Sequence, residues 1–224
     1  MGIEPGQFVA IMGPSGSGKS TLLHCLSGMD RPSAGSVLLG DTEITTMSEK
    51  ELAALRLTRF GFVFQQAHLM TTLCLLDNIV LPGFLAGLRP RPEITARGEE
   101  LMESMGIADL AASGVTEVSG GQLQRAGICR ALINDPGIVF ADEPTGALNS
   151  TTALQILDLL GQVHASGTTL VMVTHDAQVA ARADRVLVLV DGRIEEDLAL
   201  GRYREAEAPS RLTTVTEALQ RRSV

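Results

Sequence analysis

Cysteine is scarce in this sequence and shows no pairing pattern. The three cysteines, Cys25, Cys74 and Cys129, are widely spaced and form no C-x-x-C pair. An odd number with this spacing is typical of free thiols in a reducing cytosol and argues against a disulfide framework or a cysteine metal site. The residues after Met1 lead directly to the charged Glu4, so no secretory signal peptide is expected.

The sequence also lacks an uninterrupted apolar run of membrane-spanning length. Its longest apolar stretch, Leu69 to Leu88, contains Asp77, Asn78, Pro82 and Gly83. A transmembrane helix needs about 20 predominantly apolar residues, and these four interrupt the stretch. We therefore expect no direct membrane insertion, so that a membrane is reached only through a partner protein.

Positive charge is the third thing in short supply. The 18 lysines and arginines face 26 aspartates and glutamates, which gives a net charge of −8. Nucleic-acid binding normally requires a basic face, so we expect no nucleic-acid partner. Only two lysines occur, Lys19 and Lys50, which makes the position of Lys19 informative. The 45% hydrophobic content is that of an ordinary globular chain, long enough for one sizeable core with a subdomain.

Apolar runs and helical spacing alternate along the chain. Strands are predicted at Phe8–Met12, Ser36–Leu39, Phe62–Phe64, Ile138–Ala141, Thr169–Val173 and Val186–Val190. Helical spacing covers Ser20–Leu26, 72–87, 95–105, 119–133, 151–165 and 177–183. The alternation predicts an α/β fold, a parallel sheet flanked by helices. The tail after Asp197 is polar without a clear period, which leaves a frayed helix and a disordered segment as alternatives.

A glycine-rich segment connects the first predicted strand to the first predicted helix. Its glycines let successive backbone N–H groups point at one anion, and the helix start adds a positive dipole end. Lys19 can reach the β- and γ-phosphates of a nucleotide, and the Ser20 hydroxyl can ligate Mg²⁺. Kinases, GTPases and transport ATPases share this loop, so it leaves the reaction type open. It matches G-x-x-x-x-G-K-[ST] over Gly13, Pro14, Ser15, Gly16, Ser17, Gly18, Lys19, Ser20 and Thr21.

Two acidic residues follow the predicted strand Ile138–Ala141. Asp142 would place a carboxylate near Mg²⁺ at the carboxyl edge of the sheet, where α/β proteins bind ligands. Glu143 is suited to orient or deprotonate an attacking water. An apolar strand followed by Asp-Glu is common by itself. The phosphate loop upstream in the same chain favours the functional interpretation here.

A second glycine-containing segment distinguishes among the classes of protein that share the phosphate loop. Physically it is another anion nest at a helix start, although Ser119 as a plain helix N-cap is the simpler interpretation without the other motifs. It resembles LSGGQ, the signature of ATP-binding cassette (ABC) ATPases, and the residues after it also fit. The segment begins at Val118, and the matching residues are Ser119, Gly120, Gly121, Gln122, Gln124 and Arg125.

Further motifs of the family follow in its usual order and cover nearly the whole chain. Gln65 matches the Q-loop glutamine, which senses Mg²⁺ and links to the membrane subunit. His175 matches the switch histidine that contacts the γ-phosphate, and Ala147–Ser150 occupies the D-loop position. The resemblance implies that Ser20, Gln65 and Asp142 position Mg²⁺. The histidines that match no motif, interpreted as surface or packing residues, are His24, His68 and His164.

The resemblance also implies a fold, a domain organisation and partners. A single P-loop NTPase domain of the ABC type is expected over 1–224, with a mainly parallel core and a small antiparallel subdomain that is incomplete at the N-terminus. The catalytic core covers 1–65 and 136–200, the helical subdomain 66–135 and a polar tail 201–224. ATP-bound family members form head-to-tail homodimers, each MgATP lying between one phosphate loop and the other subunit's signature. They work with an integral-membrane permease, which places the chain at the cytoplasmic face of the cell membrane.

Two strings narrow the resemblance within the superfamily. Val63-Phe64-Gln65-Gln66 and the segment 143–148 resemble the lipoprotein-releasing and macrolide-export branch. The string at 145–150 is similar to ATPases of antimicrobial-peptide resistance, and a loop shared by several branches explains it equally well. A non-transport regulatory cassette is the alternative, and one short acidic cassette disfavours it. A phosphotransferase is disfavoured by the signature and by His175.

Three features depart from the family pattern. Asn149 replaces the usual D-loop aspartate, which predicts altered coupling rather than loss of activity, and Val118 replaces leucine, a packing change. Related domains carry one or two strands upstream, with an aromatic residue that stacks on adenine, whereas no aromatic residue precedes Phe8 and the single tyrosine is Tyr203. A truncated or misassigned start and a weaker hold on adenine are the alternatives, and we expect weaker ATP affinity with intact chemistry.

The apolar residues after Gln65 are candidates for contact with the permease. Family members receive the membrane subunit in a groove near the Q-loop, and exposed apolar surface is typical of a partner site. We expect Leu69 and Met70 to contact the permease.

Overall fold

A six-stranded sheet lies at the centre of the computed structural model, which describes residues 1–222. The spatial order is β4-β5-β6-β1-β7-β8, and every neighbouring pair is parallel except β7 and β8. The six strands are β1 (Phe8–Met12), β4 (Phe60–Phe64), β5 (Ile138–Asp142), β6 (Thr169–Val173), β7 (Arg185–Val190) and β8 (Arg193–Ala199). A separate antiparallel pair joins β2 (Leu38–Leu39) to β3 (Thr42–Glu43).

Strand β1 is buried on both faces of the sheet. Phe8, Ala10 and Met12 belong to one hydrophobic core, while Val9 and Ile11 belong to another on the opposite face. Helices cover both faces, which is why the parallel strands lack the polar alternation of half-exposed strands. The predicted α/β fold with a mainly parallel sheet and a small antiparallel pair is confirmed.

Each predicted helix is present, with its ends shifted by a few residues. These helices are α1 (Lys19–Leu26), α3 (Leu75–Ala86), α4 (Arg91–Ser104), α5 (Gly120–Leu132), α6 (Ser150–Ala165) and α7 (Ala177–Ala180). Helices α3 and α4 pack closely, because a Cβ at Gly98 would lie 2.6 Å from Val80. The subdomain boundaries at 65 and 136 stay a prediction.

One helix was not predicted, although the sequence contains its start signal. Helix α2 (Glu49–Arg59) begins with a capping box, in which the Glu51 carboxylate accepts a hydrogen bond from the Ser48 amide at 2.7 Å and the Ser48 hydroxyl accepts one from the Glu51 amide. A serine followed three residues later by glutamate is the usual sequence mark of such a start.

The polar tail is the largest correction to the predicted elements. Strand β8 was missed because four of its seven residues are charged, and Arg185 on β7 pairs with Asp197, holding the pKa of that carboxyl below its usual range. Helix α8 (Ala208–Arg222) follows, so of the two alternatives for the tail the helical one agrees with the structure. Its Arg211 is 4% exposed and donates to the carbonyls of Ala181 and Gly201 at 2.7 and 3.1 Å. The predicted tail ends at Ser223 and Val224, outside the described residues.

Helix length and composition also bear on the membrane. Among the helices of residues 1–222, none is both long enough and apolar enough to cross a bilayer.

Candidate functional site

Four adjacent strands end at one edge of the sheet, and the predicted catalytic residues follow those ends. In spatial order β4 leads to Gln65, β5 to Asp142 and Glu143, β6 to His175 and β1 to the phosphate loop. Phe64, Asp142 and Val173 are register partners across β4, β5 and β6, so these ends are level. The topology therefore collects residues from four distant parts of the chain at one edge.

The phosphate loop owes its shape to its glycines. Gly13 has a φ of 144°, and a Cβ at this position would lie 1.9 Å from the Leu189 carbonyl oxygen, so no side chain fits. Gly16 and Gly18 also have positive φ values, 79° and 96°. Helix α1 begins after Gly18 without a side-chain cap. The N–H groups of its first turn therefore remain available to an anion.

The Lys19 side chain closes the loop on itself. Its ammonium group donates to the carbonyl oxygens of Gly13 and Pro14 at 3.0 and 2.8 Å. These bonds place a positive charge inside the loop, next to the uncapped helix start. A phosphate group entering the loop would meet this charge.

Ser20 and Asp142 form the oxygen pair expected of a magnesium site. The Ser20 hydroxyl donates to Asp142 Oδ1 at 3.1 Å. A hydroxyl and a carboxylate at the phosphate edge are hard oxygen donors, which suit Mg²⁺. The Gln65 amide packs against the turn after Glu143, since its Nε2 is 2.9 Å from where a Cβ of Gly146 would stand, and its role at Mg²⁺ stays a prediction. The residues fit a magnesium ion held by Ser20 and Asp142.

Glu143 and His175 contact each other beside this pair. His175 Nδ1 lies 2.9 Å from Glu143 Oε1, and the histidine side chain is 71% exposed while the glutamate is 20% exposed. Glu143 has a φ of 49°, a left-handed conformation that is uncommon outside glycine and clusters at functional sites. Its amide donates to the Val173 carbonyl at 3.0 Å, which continues the sheet ladder past the strand end. The bend thus presents the carboxylate to the histidine.

The signature lies at the start of α5, and its own side chains cap the backbone N–H groups there. Ser119 Oγ accepts from the Gln122 amide at 3.4 Å, and Gln122 Oε1 accepts from the Ser119 amide at 2.8 Å. A Cβ at Gly121 would meet Thr152 of α6 at 2.5 Å, and one at Gly120 would meet Leu148 at 3.8 Å. The neighbours of the signature thus come from 148–152, whereas those of the phosphate loop come from β5 and β7. The two nests therefore lie against different parts of the chain.

The departures from the family pattern have structural counterparts. Asn149 caps α6, since its Oδ1 accepts from the Thr152 amide at 2.9 Å. The amide thus supplies a hydrogen bond at this loop, and the effect on coupling stays a prediction. Val118 is partly buried against the main core, as a packing change requires.

Two side chains of α5 were not recognised as part of the site. Gln124 was noted only as fitting the signature, yet its amide donates to the carbonyls of Phe64 and Pro144, both at 2.8 Å. Arg130 donates to the carbonyl of His68 at 2.9 Å, and burial lowers the pKa of its guanidinium. No local signal in the sequence marks these partners, because they lie 60, 20 and 62 residues away.

A groove beside the Q-loop presents apolar surface. Its volume is about 480 Å³, and it lies between β4, α2 and α3. Met70 lines it and is 51% exposed, whereas Leu69 is 9% exposed and belongs to the core. The expected role of Leu69 in partner contact is therefore wrong, because its side chain is already packed. The other large apolar residues of the groove include Phe62, Phe64, Leu81 and Leu85.

Comparison with known proteins establishes the class. The family model described as ABC transporter matches residues 1–146, more than half of the chain. The chain belongs to the ABC transporter family, and its fold is that of the ATP-binding cassette, the ATPase domain of these transporters.

Two solved structures of ATP-binding cassettes are similar to this chain. A dimeric post-hydrolysis structure of the ATP-binding cassette MJ0796 bound to ADP and Pi is 38% identical with a TM-score of 0.83, covering 91% of this chain and 89% of that one. The cbiO1 structure from Clostridium perfringens, part of the ABC transporter complex cbiONQ, is 29% identical with a TM-score of 0.82, covering 99% and 87%.

The curated relatives are described as macrolide export ATP-binding/permease proteins MacB. The protein of Rhodopseudomonas palustris strain BisB18 is 47% identical over 197 residues, and that of Neisseria gonorrhoeae 44% over 197 residues. Each match covers 88% of this chain and 30% of the relative, so the chain spans under a third of their length. The resemblance to the macrolide-export branch is confirmed.

Proposed function

We propose that this chain is the ATP-hydrolysing part of a bacterial exporter that works with a membrane permease. The observation that carries the proposal is the contact between Glu143 and His175 at 2.9 Å, on strand ends adjacent to the phosphate loop. This arrangement supplies a carboxylate for water, a histidine for the γ-phosphate and a cradle for the nucleotide phosphates.

Residues 13–21 hold the phosphates of ATP in this proposal. The uncapped start of α1 directs its N–H groups at the β- and γ-phosphates, and Lys19 exchanges its loop carbonyls for phosphate oxygens. Ser20 and Asp142 would hold Mg²⁺, and Gln65 is the third residue that the family resemblance assigns to the ion. When bound, Mg²⁺ neutralises charge on the β- and γ-phosphate oxygens.

Hydrolysis is in-line attack of water on the γ-phosphorus. Glu143 orients the water and accepts its proton, the new P–O bond forms, and the bond to the ADP oxygen breaks. His175 is exposed enough to turn from Glu143 to the γ-phosphate, where a ring N–H donates a hydrogen bond to the transferred group. The strained conformation of Glu143 keeps its carboxylate aimed at the phosphate side.

The active form is a head-to-tail homodimer with ATP at the seam. Two nests with different neighbours in one chain support this arrangement, since the signature of one copy can then face the nucleotide of the other. Ser119, Gly120, Gly121 and Gln122 then bind the γ-phosphate held by the partner's loop. The dimeric structure of the similar cassette MJ0796, bound to ADP and Pi, supports the dimeric part of this proposal.

The permease docks in the apolar groove beside the Q-loop. Exposed Met70 and Leu85 give a partner helix an apolar seat beside Phe64, the residue before Gln65. The MacB relatives combine ATP-binding and permease functions, which supports export of an antibiotic, peptide or lipoprotein and a place at the cytoplasmic face of the membrane. These relatives and the cbiONQ complex are transporters, so they disfavour a regulatory cassette.

The groove can be tested by charge substitution. We expect Met70→Glu to abolish permease-coupled transport while leaving the basal ATPase rate unchanged, because Met70 lines the groove and the groove's lining includes none of the proposed catalytic residues. Leu88→Glu is the matched control, an exposed leucine on the same segment that does not line the groove. Transport that survives in the first variant would remove the proposed docking surface.

The proposed function is tested by the steady-state ATPase rate as protein concentration increases. We expect the rate to rise faster than linearly, because two copies form each site. Glu143→Gln is the control, and loss of a general base lowers kcat by about 100- to 10,000-fold. A parent rate no higher than that of Glu143→Gln would refute the proposal.

A further inference from the structure

One buried amide group joins the two loops that flank the proposed catalytic centre. Gln124 lies on α5, is 2% exposed, and donates from a single Nε2 to the carbonyls of Phe64 and Pro144 at 2.8 Å each. Both protons of the amide are therefore used, and both acceptors are backbone atoms. A buried group with this geometry fixes the distance between two segments 80 residues apart (144 − 64).

The two acceptors are the direct neighbours of proposed catalytic residues. Phe64 precedes Gln65, and Pro144 follows Glu143. The two loops also touch, because the Gln65 amide packs against Gly146. Gln124 thus holds the Q-loop and the turn after Glu143 as one unit, including the left-handed backbone that aims the glutamate.

The same helix carries the signature at its first turn. Ser119 caps α5 and Gln124 follows five residues later, so any displacement of the helix start is transmitted to both loops. Farther along the helix, Arg130 donates to the carbonyls of Ala67 and His68 at 2.6 and 2.9 Å. The chain on both sides of Gln65 is therefore tied to α5.

We propose that Gln124 is a positioning residue that couples the signature helix to Gln65 and Glu143. In the proposed dimer, the signature binds the nucleotide held by the partner copy. Gln124 then couples that binding, through α5, to the positions of Gln65 and Glu143 in its own chain. The inference rests on the proposed function for the roles of Gln65, Glu143 and the signature. Its structural part, the fixing of two loops by one amide, stands by itself.

The chain contains a matched amide for comparison. Asn134 Nδ2 also donates to two carbonyls, those of Leu57 and Pro82 at 2.8 and 3.3 Å. Neither acceptor adjoins a proposed catalytic residue. Replacing either amide by the isosteric acid removes a double donor. Asn134 is less buried than Gln124, so the melting temperature of each variant is measured beside its kcat.

The experiment compares Gln124→Glu, Gln124→Met and Gln124→Lys with Asn134→Asp. A misplacement of about 1 Å costs on the order of 100-fold in rate, so we expect Gln124→Glu and Gln124→Met to lower kcat about 10- to 100-fold. The KM for ATP should stay within about twofold, because the phosphate loop is untouched. Gln124→Lys keeps a donor but buries an ammonium beside two neutral carbonyls, so it should recover only part of the rate. Asn134→Asp should lower the melting temperature and leave kcat unchanged.

A second readout does not depend on hydrolysis. In Gln124→Met, amide hydrogen exchange should become faster at 64–67 and 143–146, whereas Asn134→Asp should change neither segment. Unchanged exchange there, or an equal loss of kcat in the Asn134 variant, would overturn the positioning role. Hydrolysis by Glu143→Gln at the parent rate would refute the proposed function instead, and the exchange result would still decide the role of Gln124.

Discussion

The two anion nests of this chain are built in opposite ways. The phosphate loop has glycines at positive φ, an uncapped helix start and a lysine turned onto its own carbonyls. The signature has glycines with ordinary backbone angles, and the side chains of Ser119 and Gln122 cap its helix. The backbone of the phosphate loop is already shaped for a ligand and leaves its N–H groups free. The N–H groups at the start of the signature helix are instead capped by the chain's own side chains.

This difference indicates a division of labour. An uncapped helix start inside a rigid glycine loop favours phosphate in the isolated chain, because its N–H groups gain partners on binding. The signature must exchange its own cap for a phosphate, which is favourable only when the rest of the nucleotide is already held. We therefore expect the phosphate loop to bind first and the signature to act on closure.

The largest expected difference between the two nests is the loss of stability when one of their glycines is replaced by alanine. Gly13→Ala would place its Cβ 1.9 Å from the Leu189 carbonyl oxygen at a φ of 144°, so we expect a loss of about 4 kcal/mol or more, or failure to fold. Gly121→Ala meets only the Thr152 side chain, which can move, so about 1–2 kcal/mol is expected. Urea denaturation measures both, and an equal or reversed order would contradict the comparison.

Nucleotide affinity of the monomer gives the next largest difference. Lys19→Ala removes a charged donor to phosphate, whose loss costs about 1.5–3 kcal/mol, so ATP should bind about 10- to 100-fold more weakly. Gly120→Asp places a carboxylate in the first turn of α5, where the helix dipole favours it and the structure leaves space. It should leave monomer affinity within about twofold. Calorimetry at dilute protein would contradict the comparison if both variants weakened binding equally.

The smallest effect concerns the cap next to the signature. Asn149→Ala removes the bond to the Thr152 amide and should cost about 1 kcal/mol. Asn149→Asp keeps the cap and adds a charge at the helix start, so stability should rise by about 0.3–1 kcal/mol. Thermal unfolding distinguishes the two variants. A destabilised aspartate variant would show that the amide has a role other than capping.

Local patterns predicted the sheet and the phosphate loop, because buried apolar runs and glycine spacing are recorded in neighbouring residues. Strand β8 was missed since its charged side chains hide an edge strand, and α2 was missed despite the capping signal at Ser48. The partners of Gln124 and Arg211 could not be predicted, because they depend on which distant carbonyls the fold brings near. Leu69 was misjudged since exposure is not visible in an apolar run.

Mixing Lys19→Ala with Gly120→Asp tests the central claim, that each ATP lies between one copy's phosphate loop and the other copy's signature. Each variant alone should be inactive, because both sites of its homodimer are defective. A mixed dimer has one site with an intact loop and an intact signature, so the mixture should hydrolyse ATP although neither component does. A mixture no more active than its components would contradict the account.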